Sequence, residues 1–343
     1  INHDPRLFTY AKEWFEAPAQ APVEATPILA SEETRYSLTL EALARFLKAP
    51  VKTYCQQTLK FSFDSEQGTT EDDEPFGFDH LQLHQYRQAL LDDVRQEQPA
   101  DLQAFFQREM SSLGNQGKLP LGGFADIAFS NIAQPVQQVW ETYSSLLQCW
   151  PTALEALPVE LRFEVSETVT LQLSAGLNQL RQAADQSSKA LITSMARSLF
   201  NKKDIQYHNV LLPWLQHLVA CAEGLAVSSF IVGSDGVLEI QPIASELALS
   251  YLTDCLKGWY QGQQRPLPIA CRTALVYLSQ PDNAAAQYEG NGWTKGEIQL
   301  DAYLARFFPD FESLLAAETL GFDYWAEKLY APLRQQVDAR KND

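Results

Sequence analysis

A chain of 343 residues that is 45% hydrophobic can bury one large core or two smaller ones. A net charge of −17 argues against a free-standing module held on nucleic acid by a basic surface, and the absence of any apolar run near ~18 residues argues against a membrane span. The odd number of cysteines has no metal-clip spacing, which predicts thiols acting as small core residues in a reducing, cytoplasmic compartment. The cysteines are Cys55, Cys149, Cys221, Cys255 and Cys271.

The chain opens with a proline-containing stretch, 1–36, that predicts an extended linker from a preceding domain. Residues 37–49 then predict a helix with Thr39 as its N-cap and a stop at Pro50. Further helices are predicted at 79–97, 101–110 and 124–150. We therefore expect residues 37–157 to be the helical part of a domain.

Two features of this helical part raise the question of metal binding. His80 and His84 lie four residues apart and share one helix face, but two partly exposed helix histidines are the favoured interpretation. Asp64, Glu66 and Gly68 match part of a calcium loop without its full ligand order. We expect no metal ion at either place.

A glycine-rich loop at 114–124 invites comparison with a phosphate-binding loop. Gly117 and Lys118 are followed by Leu119 where that motif needs Ser or Thr, and Gly114 is too close to Gly117. A turn leading into the next helix is the better interpretation, and no cofactor is expected.

The second half carries the strand signals. Residues 161–174 alternate apolar and polar side chains in two runs around Ser166 and Glu167, which predicts a hairpin. A third strand is predicted at 190–195, and we expect these closely spaced strands to form one small central mixed sheet.

Further along the chain, strands at 226–232 and 237–240 flank the turn sequence Gly233-Ser234-Asp235-Gly236. Helices are predicted from 210 to about 224, where His217 is expected to be a core residue, and at 244–261. The aromatic-rich helical tail, 300–337, is expected to be core or a partner interface. Residues 158–343 are thus predicted to be the central sheet and C-terminal helices of an α/β (α+β) domain.

Several short motifs occur in a characteristic order. They are Leu40-x-x-Leu43-x-x-Phe46-x-x-x-Pro50, Leu59, Asp73-Glu74-Pro75-Phe76, Lys118-Leu119-Pro120-x-Gly122-x-Phe124, Trp214-Leu215-Gln216-His217-Leu218-Val219 and Tyr288-Glu289-Gly290-Asn291. Each is weak alone, but together they resemble the C-terminal domain of the RecC family, the gamma chain of exonuclease V (exodeoxyribonuclease V).

The resemblance implies a restriction-endonuclease-like, PD-(D/E)xK-type core that has lost its active site. RecC is the non-ATPase subunit of the RecBCD helicase–nuclease, which processes broken DNA ends for recombinational repair. The family implies contact with the RecD and RecB subunits, with DNA inside the complex, and with no membrane. It also implies that this region holds RecD and forms part of the path of the separated strands.

The loss of the active site can be tested in the sequence. Nucleases of this class place an acid two residues before a lysine, so that both side chains share one strand face around Mg²⁺. No lysine in the chain has Asp or Glu two positions before it, and the segments 174–177 and 192–197 contain no carboxylate. We therefore expect no catalytic, metal or cofactor residue.

Two alternatives stay open. One is a nuclease with a variant site that uses Glu164 or Glu167, and the other is an unrelated helical interaction domain. The residues that contact DNA cannot be read from the sequence. The basic side chains considered for phosphate contact are interpreted as solvated surface charge; they are Arg181, Arg197, Lys202 and Lys203.

Overall fold

The computed structural model describes residues 34–63, 78–120, 122–202, 204–291, 293–316 and 320–341. These ranges form a mixed α/β structure of several mixed sheets and many helices, which confirms the predicted fold class at that level. The strands are β1 (Thr34–Thr39), β2 (Thr152–Ala153), β3 (Leu157–Ser166), β4 (Val169–Leu177), β5 (Leu180–Gln182), β6 (Lys189–Ser194), β7 (Phe200–Asn201), β8 (Asp204–Ile205), β9 (Val227–Gly233), β10 (Gly236–Ile240) and β11 (Val337–Lys341).

The helices of the same ranges surround these strands. They are α1 (Leu40–Lys48), α2 (Pro50–Gln57), α3 (His80–Glu97), α4 (Leu102–Asn115), α5 (Phe124–Cys149), α6 (Leu211–Ala222), α7 (Ser245–Gln264), α8 (Cys271–Tyr277), α9 (Ala284–Glu289), α10 (Glu297–Leu300), α11 (Ala302–Phe307), α12 (Phe311–Leu315) and α13 (Phe322–Gln336). No helix within the described ranges is long and apolar enough to cross a bilayer.

The predicted hairpin is confirmed as β3 and β4, which pair antiparallel with Phe163 opposite Leu171. The alternation also holds, because Phe163, Leu171 and Leu173 are buried while Arg162 and Glu164 are exposed. β1 joins the other side of β4 in parallel, so the sheet order is β1-β4-β3. The hairpin therefore belongs to a three-stranded mixed sheet.

The expectation of one central sheet is wrong. The predicted third strand is β6, and it lies in a separate six-stranded sheet of order β11-β10-β9-β6-β5-β2. The predicted hairpin of β9 and β10 is confirmed in the same sheet, where β9 runs parallel to β6. β7 and β8 form a small antiparallel pair of their own.

The start of the described chain differs from its prediction. Residues 34–36, predicted as linker, and 37–39, predicted as the first helical turn, form β1 because their backbone pairs with β4. The predicted cap is correct, since Thr39 Oγ1 accepts a 3.2 Å hydrogen bond from the Ala42 N–H. Pro50 ends α1 as predicted and also begins α2, where its missing N–H costs nothing.

Helix α6 lies between the two large sheets and contacts both β4 and β9, as well as α1 and α7. It is buried on nearly every side, which explains its almost continuous apolar sequence. His217 is buried as predicted: its Nδ1 lies 2.8 Å from Ser229 Oγ on β9, and its Nε2 lies 3.5 Å from Cys221 Sγ. Burial lowers the pKa of His217 to about 4.

Two hydrophobic clusters divide the interior. The larger joins α1, α2, α6, α7, α8 and α13 to the three-stranded sheet and to one side of β9 and β10. The smaller joins α3, α4 and α5 to Ala190, Ile192, Phe230 and Val232 of the six-stranded sheet. The six-stranded sheet therefore packs against two groups of helices: those of the larger cluster, and α3, α4 and α5 of the smaller cluster.

The aromatic tail is largely interior. Tyr303, Phe322, Trp325 and Tyr330 are buried, whereas Tyr324 is exposed. Among the cysteines, Cys55, Cys221, Cys255 and Cys271 are buried as expected and all five thiols are free. The prediction of a core thiol is wrong for Cys149, because this residue is exposed at the end of α5.

Replacing Leu171 with Asp tests the hairpin core. Leu171 is fully buried in the larger cluster, and an unpaired buried carboxylate costs several kcal/mol, so we expect the variant to unfold or to lose most of its stability. Phe163→Asp should act in the same way. Ser166→Asp, on the exposed side of β3, is the matched control and should melt near the parent temperature by circular dichroism.

A second prediction concerns acid stability. The folded-state pKa of His217, about 4, lies below its ordinary value of 6.5, so the unfolded chain takes up the proton first as the pH falls. The stability linked to His217 is complete above pH ~6.5 and is lost toward pH ~4, with a slope of up to ~1.4 kcal/mol per pH unit. His217→Gln should flatten this part of the urea-unfolding profile; an unchanged slope would contradict the assignment.

Candidate functional site

The carboxylates considered for a variant nuclease site lie at the exposed tip of the hairpin. Glu164 stands on the solvent-facing side of β3, in a shallow depression with Arg35, Arg162 and Gln172. Glu167 lies in the turn between β3 and β4 and is exposed. Among the described residues no group of three or more His, Cys, Asp or Glu side chains could hold a metal ion.

The described histidine of the pair His80 and His84 contacts an arginine instead of a second metal ligand. His84 is half-buried, and its Nε2 lies 2.7 Å from Arg197 Nη2. Burial and then the Arg197 guanidinium lower the pKa of His84, so its imidazole is neutral and faces a fixed positive charge. The side chain of His80 and the calcium-like set Asp64, Glu66 and Gly68 lie outside the description given by the structure.

The basic side chains considered for phosphate contact have different environments. Arg181 has a structural role, because its guanidinium donates hydrogen bonds to the Trp150 and Pro151 carbonyls at 2.7 and 2.5 Å. Arg197 donates to Asn209 Oδ1 at 3.0 Å and contacts His84. Lys202 is exposed, and Lys203 lies outside the described residues.

A larger concentration of positive charge lies in a groove of about 770 Å³ between α1, α2, α8 and α11. We call it the basic groove and define it by Arg45 and Lys48 of α1, Lys52 of α2 and Arg272 of α8. All four side chains are exposed. Within the described residues, none of them forms an ion pair with a carboxylate.

The charges of the basic groove influence one another. Lys48 is an exposed residue, but partial burial of its ammonium group lowers its pKa, and the guanidiniums of Arg197 and Arg272 lower it further. Burial, with smaller contributions from Arg272, Lys48 and Arg197, lowers the pKa of His208 to about 3, so this lining side chain is neutral at pH 7. Repulsion between cationic side chains is relieved when an anion binds between them.

Among the described residues, two acids also line the groove, and both accept hydrogen bonds from backbone N–H groups. Glu297 is buried and accepts hydrogen bonds from the Arg272 and Thr273 N–H groups at 3.1 and 2.8 Å. It also accepts from Thr273 Oγ1 at 2.9 Å. Asp301 accepts from the Tyr303 N–H at 2.9 Å and caps α11. These carboxylates position the walls of the groove.

One end of the basic groove is aromatic. The Phe63 ring is 44% exposed and packs edge-to-face on Tyr303 at a centroid distance of 4.8 Å. Phe61 packs edge-to-face on Phe63 at 5.5 Å, and Lys52 Nζ lies 5.8 Å from the Tyr303 ring centroid. An exposed ring held by two others beside cationic side chains offers both a flat apolar face and positive charge.

The sequence patterns do not predict this groove. Arg45 and Lys48, three residues apart, lie on the polar side of α1, and such a pair ordinarily indicates a solvated helix face. Arg272 comes from a helix more than 200 residues further along the chain, so its proximity depends on tertiary packing. The only local signal was the absence of acidic residues between Ala42 and Lys60.

Comparison with known proteins decides the family. Residues 36–282 match the family described as the RecC C-terminal domain. The chain belongs to the RecC C-terminal domain family. It is also similar to the RecBCD enzyme subunit RecC of Escherichia coli (strain K12), with 24% identity over 336 residues. The aligned region is 96% of this chain and 27% of that protein, so the chain spans about a quarter of that relative's length.

The motifs that carried the resemblance have structural roles where the structure describes them. Leu40, Leu43 and Phe46 are buried in the larger cluster beside α6. Gly290 has a φ of +85°, and a Cβ there would lie 2.6 Å from the Gly296 nitrogen, so only glycine fits. The segment Asp73-Glu74-Pro75-Phe76 lies outside the described residues.

The nuclease alternative yields a direct prediction. With its acids exposed at the hairpin tip and no lysine at the required spacing, the chain should show no Mg²⁺-dependent cleavage of linear DNA in a gel assay. Cleavage that requires Mg²⁺ and disappears in Glu164→Gln or Glu167→Gln would establish a variant active site. Cleavage unchanged in both variants would indicate a contaminating enzyme.

Proposed function

We propose that the chain is a non-catalytic domain of a RecC subunit that holds RecD and guides separated DNA strands within a RecBCD-type helicase–nuclease. The single observation that carries this proposal is the family match over residues 36–282. Exodeoxyribonuclease activity, double-strand break repair and homologous recombination then belong to the assembled complex with RecB and RecD.

A restriction-endonuclease-like core is part of the same proposal. The mixed sheets flanked by helices are compatible with such a core, and the lack of an acid two residues before any lysine agrees with a lost active site. We further propose that residues 37–157 and 158–343 are two parts of one domain that follows a linker. Several contacts join them, such as the packing of α1 on α6.

An exposed apolar surface supports partner binding. Helices α3 and α5 run parallel: Arg87 donates to the Asn131 carbonyl at 2.8 Å, and Arg95 lies over the Tyr143 ring at 5.6 Å further along both helices. Their first turns therefore lie at the same end. This end exposes Leu81 by 64%, Phe124 by 58% and Ile127 by 62%, which is unusual for large apolar side chains near one another.

The proposal predicts retention of RecD. Immobilised chain should capture purified RecD, and Leu81→Asp/Ile127→Asp should weaken the complex by about tenfold or more, because two charges would enter a desolvated contact. Leu247→Asp/Leu315→Asp, which alters two other exposed leucines, is the matched control and should retain RecD.

Failure of the parent chain to capture RecD would contradict the RecD-holding role. Capture that is equal in both double variants would instead place the contact away from the first turns of α3 and α5. Circular dichroism melting of each variant separates loss of binding from loss of folding.

A further inference from the structure

We propose that the basic groove binds single-stranded nucleic acid, with its phosphates on Arg45, Lys48, Lys52 and Arg272 and a base stacked on Phe63. The inference rests on the proposed strand-guiding role and assigns that role to named side chains. The chain carries a net charge of −17, yet these four cationic side chains line one groove without forming an ion pair with a carboxylate among the described residues.

The electrostatics favour an anionic occupant. Four cationic side chains line the groove, and burial, followed by the Arg197 and Arg272 guanidiniums, lowers the pKa of Lys48, so the groove concentrates like charges. A phosphate placed between such side chains offsets their repulsion and gains charge-assisted hydrogen bonds. Glu297 and Asp301 accept backbone N–H groups, and Glu297 also attracts Arg272, but four cationic side chains face these two acids, so the groove keeps an excess of positive charge.

The aromatic end selects nucleic acid over other polyanions. Phe63 is exposed, and its backbone N–H donates to the Tyr303 hydroxyl at 3.1 Å, which fixes its position beside Lys52. Phosphate-tracking cations next to a rigid, exposed ring are the arrangement that binds single strands with little sequence preference. A groove of about 770 Å³ suits a few nucleotides, while a duplex would keep its bases stacked inside and away from Phe63.

The number of cations sets the expected salt dependence. For four phosphate contacts on a single strand, log affinity should fall with log salt with a slope of about −3. Raising salt from ~50 to ~200 mM should therefore weaken binding roughly 50-fold. Removing two of the cations should reduce the slope to about −1.4, so that the same rise in salt weakens binding only roughly sevenfold.

The experiment measures fluorescence anisotropy of a labelled oligo(dT) with the full 343-residue chain at several salt concentrations. Lys48→Gln/Arg272→Gln should weaken binding at least about tenfold and reduce the salt slope as stated. Lys118→Gln/Arg162→Gln removes the same charge from exposed positions outside the groove and should have little effect. Equal effects of the two double variants would overturn the proposal.

The base contact is tested separately. Phe63→Ala should weaken oligo(dT) binding roughly five- to a hundredfold and should leave binding of an abasic oligonucleotide of equal length unchanged. Equal weakening of both ligands, or binding of a blunt duplex as tight as that of oligo(dT), would overturn the stacking assignment. Competition by poly-glutamate that is equal in the parent and Phe63→Ala chains would identify the groove as a site for acidic protein segments instead.

RecD capture by the Lys48→Gln/Arg272→Gln variant separates the proposed RecD-holding role from the proposed binding of single strands in the basic groove. Normal capture of RecD with unchanged oligo(dT) binding would reject the groove and leave the RecD-holding role intact. Normal capture with lost oligo(dT) binding supports both. The melting temperature of this variant, measured by circular dichroism, shows whether it is folded, because Arg272 also attracts the buried Glu297 carboxylate.

Discussion

The burial of α6 between the two large sheets is the contact on which the rest of the structure depends. Its sequence is apolar around almost the whole circumference, and β4, β9, α1 and α7 each cover part of it. Because a helix of this kind is unstable when exposed to water, the two sheets and the surrounding helices stabilise one another through it. The His217–Ser229 contact adds a polar constraint on how α6 lies against β9.

The same packing positions the candidate site. Leu43, Phe46 and Leu47 bury one side of α1 in the larger cluster, and the opposite side presents Arg45 and Lys48 to the groove. Glu297 holds the first residues of α8 and so places Arg272 across from them. The groove is therefore built from elements with buried contacts, and an acidic chain can carry a local cationic site whose geometry its core maintains.

Local patterns predicted the parts of the fold that depend on local physics. The alternation at 161–174 gave the β3–β4 hairpin, the turn residues gave β9–β10, and the Thr39 hydroxyl gave the start of α1. β1 was missed because its strand conformation depends on pairing with β4, more than a hundred residues away. β6 was recognised as a strand, but an alternating pattern does not specify which sheet a strand joins. The basic groove was not predicted either, because its cationic side chains lie on helices that are far apart in the sequence and meet only in the folded chain.

The pairing of β1 with β4 and the bond from the Tyr330 hydroxyl to the Leu47 carbonyl have a consequence for biosynthesis. The latter joins residues 283 positions apart, with an oxygen–oxygen distance of 2.6 Å. On the ribosome, β1 and α1 are made long before their neighbours and must wait with apolar side chains uncovered. The pairing of β1 can form once β4 is made, but the packing around α1 is completed only when α13 and Tyr330 have emerged, near the end of synthesis of this chain.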